Sequence, residues 1–559
     1  MRMPKTAATS AASAHAAAIG APADGTAATA GTDGAPAGQP PVAAAEPPAA
    51  ADRPAASRGT RAVALLGRNW LAVLLLAAGI ALRVLVQVSY SPALLYIDSV
   101  KYLYNAWPGA DPLGYDVPLR AILAVGNLGT VEAVQHLLGL GMAVTLYLVL
   151  VRRGVSRWLA ALAMGPVLLD AYQLQAEATI MPDVWFEALI VAGLAVLLWK
   201  TRTTLWTCLL AGLVLGVSAT VRQPGEILIA PAVLFVIVGA GGWRQAIKKS
   251  IVLIVAFAVP IVAYSSGSLA ITGHFWLSRN SYQATYGRMA ALADCATLKL
   301  PSYEQALCPT PAQQAKGPDW LDHAANSPLR NYVAPANLVR SKVISNFNDR
   351  VVEQQPLRVA GRVSSDAAKL FAVDRVTAPG DTPISRWQFQ THYPNYAPTV
   401  VTDPQGTIIF GLHLAAAGGP TVYRKLDANF GGNSHVWLPG ATFLRRYQFH
   451  GGYTPGPLLL LGFIVGLAAA LTAFRRRASK EQRQLALAAL ALWATGVAVL
   501  LLSDLFEFTW RYQLPALVTL PPAGAVGIAV IIRFVRRRRA DSRAAGSAGS
   551  ERRIAARAG

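Results

Sequence analysis

Charged residues are scarce in this chain. Asp, Glu, Lys and Arg make up 14% of its 559 residues, where ordinary soluble proteins carry about a quarter. The length would allow several soluble domains, but so little charge argues against them. Cysteine is scarcer still, at three residues. There is no CxxC or HExxH spacing, and no Walker A or dinucleotide glycine loop, which argues against soluble nucleotide-driven chemistry. Acids are also few, 29 against 50 Lys and Arg, for a formal charge of +21. A nucleic-acid partner is not the reading. The basic residues sit at the ends of apolar runs and in the C-terminal tail, as membrane orientation requires.

What is abundant is apolar sequence, at 53% of residues, with a mean hydropathy of +0.38. Ten runs approach the ~20 residues a bilayer needs: 69–89, 131–151, 157–173, 183–199, 205–221, 225–241, 250–270, 455–474, 485–503 and 512–533. The third is short and holds Pro166. The expected fold class is therefore an all-α polytopic membrane protein. The connections VRRGVSR, KTRTT, WRQAIKK and RRRASKEQR, and the end RFVRRRR, are basic. The alternate connections AYQLQAEATIMP, VRQPG and SDLFEFTWR hold little Lys or Arg. That alternation puts both termini in the cytoplasm of a plasma-membrane protein.

Domain boundaries follow. Residues 1–60 are Ala, Pro, Gly and Thr without a signal-peptide core, and are expected to form a disordered cytoplasmic tail. Spans one to seven occupy 61–270, with a first external loop at 90–130. A polar extracellular domain occupies 271–454. Within it, SKVISNFNDRVVEQQP and LRVAGRVSSDAAKLF have helical patterning, and 379–439 reads as loops with short elements. Spans eight to ten occupy 455–535, and 536–559 is a basic tail. Cys208 lies in an apolar run, whereas Cys295 and Cys308 share the polar domain and are expected to form a disulfide if it faces the outside.

The ionisable groups near spans share one depth. Arg83, Glu132, Asp170, Asp183, Glu187, Arg222, Glu226, Asp504, Glu507 and Arg511 all fall in the outer third. Such groups are functional hypotheses by default, although each one alone could simply snorkel to water. A site at that boundary suits an amphiphilic substrate with its tail in the bilayer. An ion-coupled transporter usually builds its site nearer the midplane.

Three motifs carry candidate chemistry. In IDSVKYLYNAW, a helix would put Asp98, Lys101, Tyr102 and Asn105 on one face. The plain reading is a surface pair of Asp98 with Lys101; the catalytic one makes Asp98 a general base for an acceptor hydroxyl. Asp111 and Asp116 follow on the same loop. In LDAYQLQAEATIMPDVWFEALI, Asp183 suits a helix start after Pro182. That does not explain Glu177 or Glu187, which with Asp183 could bind sugar hydroxyls or a divalent cation. In VRQPGE and FEFTWRYQLPAL, Arg222 and Arg511 could grip a phosphate, while Arg511 could equally pair with Glu507. Arg279 and Arg288 are further candidates.

Together these motifs resemble the GT-C superfamily of multi-pass glycosyltransferases that use polyprenyl-phosphate sugars, and most nearly the bacterial family 39-like group in its actinobacterial form. The likeness spans roughly 65–535. It rests on Asp98 in the first external loop with Tyr102 after it, and on PLGYDVPLRAIL. It rests also on AEATIMPD, on Arg511, Tyr512 and Pro515, and on GRMAALADC…LCP. The resemblance implies a GT-C-like helical arrangement and inverting sugar transfer to an envelope glycan, lipid or protein. Asp98 would be the base, with Tyr102, Asp116, Glu177, Asp183, Arg222, Arg511 and Tyr512 around the substrates. Two departures stand out. Asp98 is followed by Ser99 where many members have a second acid, and the large external region precedes span eight. Two other classes remain open: a transporter or lipid flippase, and a non-catalytic envelope assembly protein.

Overall fold

The computed structural model describes residues 66–104, 112–278, 281–413, 421–475, 479–536 and 539. The expected tail 1–60, the C-terminal tail from 540, and the candidates Asn105, Asp111 and Arg279 lie outside them. The apolar runs are helices: α1 (Trp70–Ser89), α4 (Leu128–Arg152), α5 (Arg157–Leu169), α7 (Asp183–Trp199), α8 (Leu205–Val221), α9 (Ile229–Gly239) and α10 (Trp243–Thr272), then α16 (Gly456–Leu471), α17 (Lys480–Phe506) and the final segment Trp510–Arg536. Short helices α2 (Ser99–Tyr104), α3 (Asp116–Leu123) and α6 (Ala171–Ala178) connect them. Among the described residues, six helices are long and apolar enough to cross a membrane: α1, α4, α10, Gly456–Phe474, α17 and Trp510–Arg536. The other four runs form shorter helices. Leu74, Val84, Val255 and Leu458 are each more than half exposed on these helices. In water such bands would be an aggregation surface; on helices of this length they are a lipid-facing surface.

The third run is not one helix. α5 ends at Leu169, and the Asp170 side chain caps α6 by accepting from the Tyr172 amide at 3.0 Å. The run therefore turns where its polar residues begin, and α6 is buried along its whole length. Elsewhere small residues set the packing. Gly212 and Gly216 form a GxxxG face on α8 against α10. A Cβ on either would run into the backbone carbonyl of Leu253 or Phe257, so glycine is what allows the two helices to approach this closely.

The polar region has its own core. It is built from α11 (Ser281–Leu292), α12 (Pro318–His323), α13 (Arg340–Gln354) and α14 (Pro356–Lys369), around Tyr286, Ile344 and Phe347. Helices α13 and α14 coincide with the two segments of helical patterning. Cys295 and Cys308 are disulfide-bonded at its edge. Strands β2 (Val400–Thr402), β3 (Ile408–His413) and β4 (Thr421–Lys425) make an antiparallel sheet in sequence order. A further pair joins β1 (Tyr90–Ser91) to β5 (His435–Val436), which ties the exit of α1 to the polar region ahead of α15 (Leu438–Phe449).

Ion pairs fasten this region to the helix ends. Arg375 pairs with Asp170 at 3.0 Å, and the Thr454 amide donates to the same carboxylate at 2.7 Å. The end of the bundle beneath the polar region holds the start of α7 and the ends of α8 and α17. At the opposite end, arginines satisfy helix C-terminal carbonyls. Arg153 donates to Leu198 at 2.6 Å, Arg152 to Trp199 at 2.7 Å and Arg483 to Val238 at 2.9 Å, which are groups a helix end leaves unpaired.

Candidate active site

Residues from separate segments converge beneath the polar region. Helix α2 begins at Ser99, so Asp98 precedes it rather than lying on its face. Asp98 Oδ2 is 3.2 Å from Arg511 Nη1, and its Oδ1 is 3.5 Å from Lys101 Nζ. Arg511 also places Nε 3.6 Å from Asp183 Oδ1 and donates from Nη2 to the Tyr512 hydroxyl at 3.0 Å. Arg222 pairs with the same Asp183 oxygen. The result is a string of alternating charge: Asp98, Arg511, Asp183, Arg222. Asp183 sits in the first turn of α7, where the helix dipole favours an anion.

Aromatic faces wall the string. Arg511 lies 4.9 Å over Trp387, 4.8 Å over Tyr512 and 5.5 Å over Tyr96, and Arg222 lies 4.7 Å over Tyr512. Cation–π contacts of this kind hold guanidinium groups without neutralising them. Arg511 is largely buried, yet the Asp98 side chain keeps 31% of its surface accessible. Burial pushes the Asp98 carboxyl up, but Lys101 and Arg511 together hold it well below the usual carboxylate range. It is an ionised and partly accessible group.

The polar region contributes a second set that no local sequence pattern reveals. Arg386 donates to the Tyr96 hydroxyl at 3.1 Å and lies 3.6 Å from Asp319. Asp319 holds His323 at 3.3 Å and pushes its imidazole up to about 9. Thr382 donates to Glu507, whose carboxyl is pushed up to about 7 by burial first and by Asp319 next. Glu507 is thus engaged by Thr382, and Arg511 finds its acids in Asp98 and Asp183.

Other sequence candidates have partners elsewhere. The Tyr102 ring packs edge-on against Tyr115, 5.3 Å between centroids, in the buried core. Asp116 stands in the first turn of α3, 3.6 Å from Arg120. Glu177 is fully buried in a separate network: Arg83 at 2.6 Å, His136 at 3.0 Å and Gln173 at 3.3 Å. Gln173 extends the network to Glu187 at 2.8 Å, and His136 to Glu132 at 3.5 Å. The sugar-pocket role expected of Glu177 therefore has to compete with these contacts, because both its oxygens are engaged by Arg83, His136 and Gln173. Arg288 is likewise buried against Asp366 at 2.5 Å. Among the described residues no three His, Cys, Asp or Glu side chains gather to hold a metal ion.

No family model and no curated protein matches the chain. Three solved structures of the Archaeoglobus fulgidus oligosaccharyltransferase are similar to it. The apo form and the form of that enzyme, AglB, in complex with an inhibitory peptide and a dolichol-phosphate each give a TM-score of 0.38 at 12% identity. The form tethered with an acceptor peptide gives 0.37. The alignment to the apo form covers 86% of this chain and 52% of the other, so the chain spans about half the length of the protein it matches. A likeness this loose carries no assignment.

Proposed function

We propose that this chain is an integral membrane glycosyltransferase that moves a sugar from a polyprenyl-phosphate donor to an acceptor hydroxyl at the outer face of the plasma membrane, with inversion. The observation that carries the reading is the Asp98–Arg511–Asp183–Arg222 string at one end of an apolar bundle. It offers an ionised carboxylate and two guanidinium groups, the chemistry that a lipid phosphate and an acceptor hydroxyl need.

Each arginine is paired with a carboxylate. A donor phosphate arriving from the bilayer competes with Asp98 for Arg511, and with Asp183 for both arginines. Once Arg511 turns to phosphate, Asp98 keeps Lys101 but loses one of its two stabilising cations, and its proton affinity rises. The base is therefore activated by donor binding. Asp98 takes the proton of the acceptor hydroxyl as that oxygen attacks the anomeric carbon. The bond from the anomeric carbon to the phosphate oxygen breaks, and the polyprenyl phosphate leaves with the bonding electrons. Arg222 and Arg511 hold the charge that develops on it. Tyr512 keeps both guanidinium groups in place.

Purified full-length protein incubated with a panel of polyprenyl-phosphate sugars should give a glycosylated acceptor by mass spectrometry. Asp98→Asn should express and fold but lose transfer at least ~100-fold, the scale of a general base. Normal turnover in that variant would remove Asp98 from the role. Ion-coupled uptake into proteoliposomes with no glycosyl product would make the chain a transporter.

A further inference from the structure

The residue after Asp98 has surroundings that give it a task of its own. Ser99 is fully buried. Its hydroxyl accepts from the Tyr96 amide at 2.9 Å and donates to the Ile180 carbonyl at 2.9 Å. The same two stretches of chain meet again nearby. The Leu94 amide donates to Ala178, and the Ile180 amide donates back to Leu94, both at 3.0 Å. Just past this joint, one stretch delivers Asp98. The other delivers Met181, whose sulfur lies 3.9 Å from Arg511 Nη1, and then Asp183.

We propose that Ser99 is a positioning residue: its hydroxyl staples the loop bearing Asp98 to the loop bearing Asp183, and so sets the base against the arginine shared by both acids. The inference rests on the glycosyltransferase reading for its consequence, but not for the staple itself. Only a group that donates and accepts at once satisfies both contacts. Alanine supplies neither, and an ionised carboxylate can only accept. An acid at position 99 would face the Ile180 carbonyl in a site closed to water, where an unpaired charge is strongly disfavoured. An ionised acid therefore has no seat at position 99, and the hydroxyl there serves to align Asp98.

The test uses full-length protein in nanodiscs with three variants, Ser99→Ala, Ser99→Thr and Ser99→Asp. Hydrogen exchange is read by mass spectrometry on peptides covering 94–99 and 178–183, with Arg340–Gln354 as control. Ser99→Ala should speed exchange in both loops and leave the control unchanged. Its kcat should fall about 10- to 100-fold, the cost of a small misplacement of reacting groups, with the donor KM little altered. Ser99→Thr, which keeps the hydroxyl, should restore most of both. Unchanged exchange in Ser99→Ala would overturn the staple. Loosened loops with full kcat would overturn its role in transfer, and so would wild-type turnover in Ser99→Asp. If the wild-type protein transfers no sugar from any donor, the glycosyltransferase reading fails, and the exchange result still decides whether the staple exists.

Discussion

Arg511 shares one guanidinium between two carboxylates, and that sharing makes the Asp98 titration depend on it. Replacing Arg511 by Gln removes a positive charge 3.2 Å from Asp98, and loss of a neighbouring cation raises a carboxyl pKa. The acid limb of the kcat/KM profile should lie below the usual carboxylate range in the wild type and move to higher pH in Arg511→Gln. An unmoved limb would mean that Asp98 is not the titrating base. Glu177 behaves differently because its partners are structural. Its removal leaves Arg83 buried without its carboxylate, and breaking a buried pair this way costs about 3–5 kcal/mol. Glu177→Gln should therefore lower the thermal midpoint in detergent while the remaining folded protein keeps its kcat. Lost kcat at an unchanged midpoint would return Glu177 to the sugar pocket. Glu507 adds a stability signature. Its carboxyl, pushed from an ordinary 4.5 to about 7, binds its proton more tightly folded than unfolded. The stability it contributes is complete below pH 4.5 and is lost as pH rises through about 7. Glu507→Gln should flatten that part of the thermal-melt profile.

Among the elements, α8 and α10 approach as closely as their glycines allow. A leucine at Gly216 would press into the Phe257 carbonyl. Overpacking typically costs 1–3 kcal/mol, so Gly216→Leu should lower the melting midpoint more than the same change at Gly141, where nothing lies near. The helices themselves were legible because membrane-length apolar runs leave little alternative. The break in the third run was half legible, since Pro166 marked the run as short but not the cap at Asp170. The site was legible only as single residues. Asp98 and Arg511 are separated by more than 400 positions, and nothing local says that they touch. Arg386, Asp319 and His323 carried no signal at all, because their meaning comes from the polar region folding back over α2. The contacts of Tyr102 with Tyr115 and of Glu177 with Arg83 were illegible for the same reason. Sequence gives a side chain's chemistry, while its partners decide whether that chemistry is free for a substrate.

At the scale of the whole molecule the two ends of the bundle differ in kind. One end gathers Asp98, Asp170, Asp183, Arg222, Glu507 and Arg511 beneath the polar region. The other gathers Arg152, Arg153 and Arg483 on helix-end carbonyls, and Arg533 on the Gly154 carbonyl just past α4. Arginine-rich ends stay on the cytoplasmic side of a membrane. The acidic end, with the polar region, should then face outward, where a lipid-linked donor in the outer leaflet could reach it. Cysteine labelling checks this directly, because Cys208 is buried and the other two cysteines are disulfide-bonded. Val333, 86% exposed on the polar region, and Gly241, in open space between α9 and α10, mark the two ends. A membrane-impermeant maleimide should label Val333→Cys in intact cells, and Gly241→Cys only after permeabilisation. The reverse pattern would put the site in the cytoplasm and remove the outer-leaflet donor from the mechanism. It would also place the Cys295–Cys308 bond in a reducing compartment, where such bonds rarely persist, so the two observations stand or fall together.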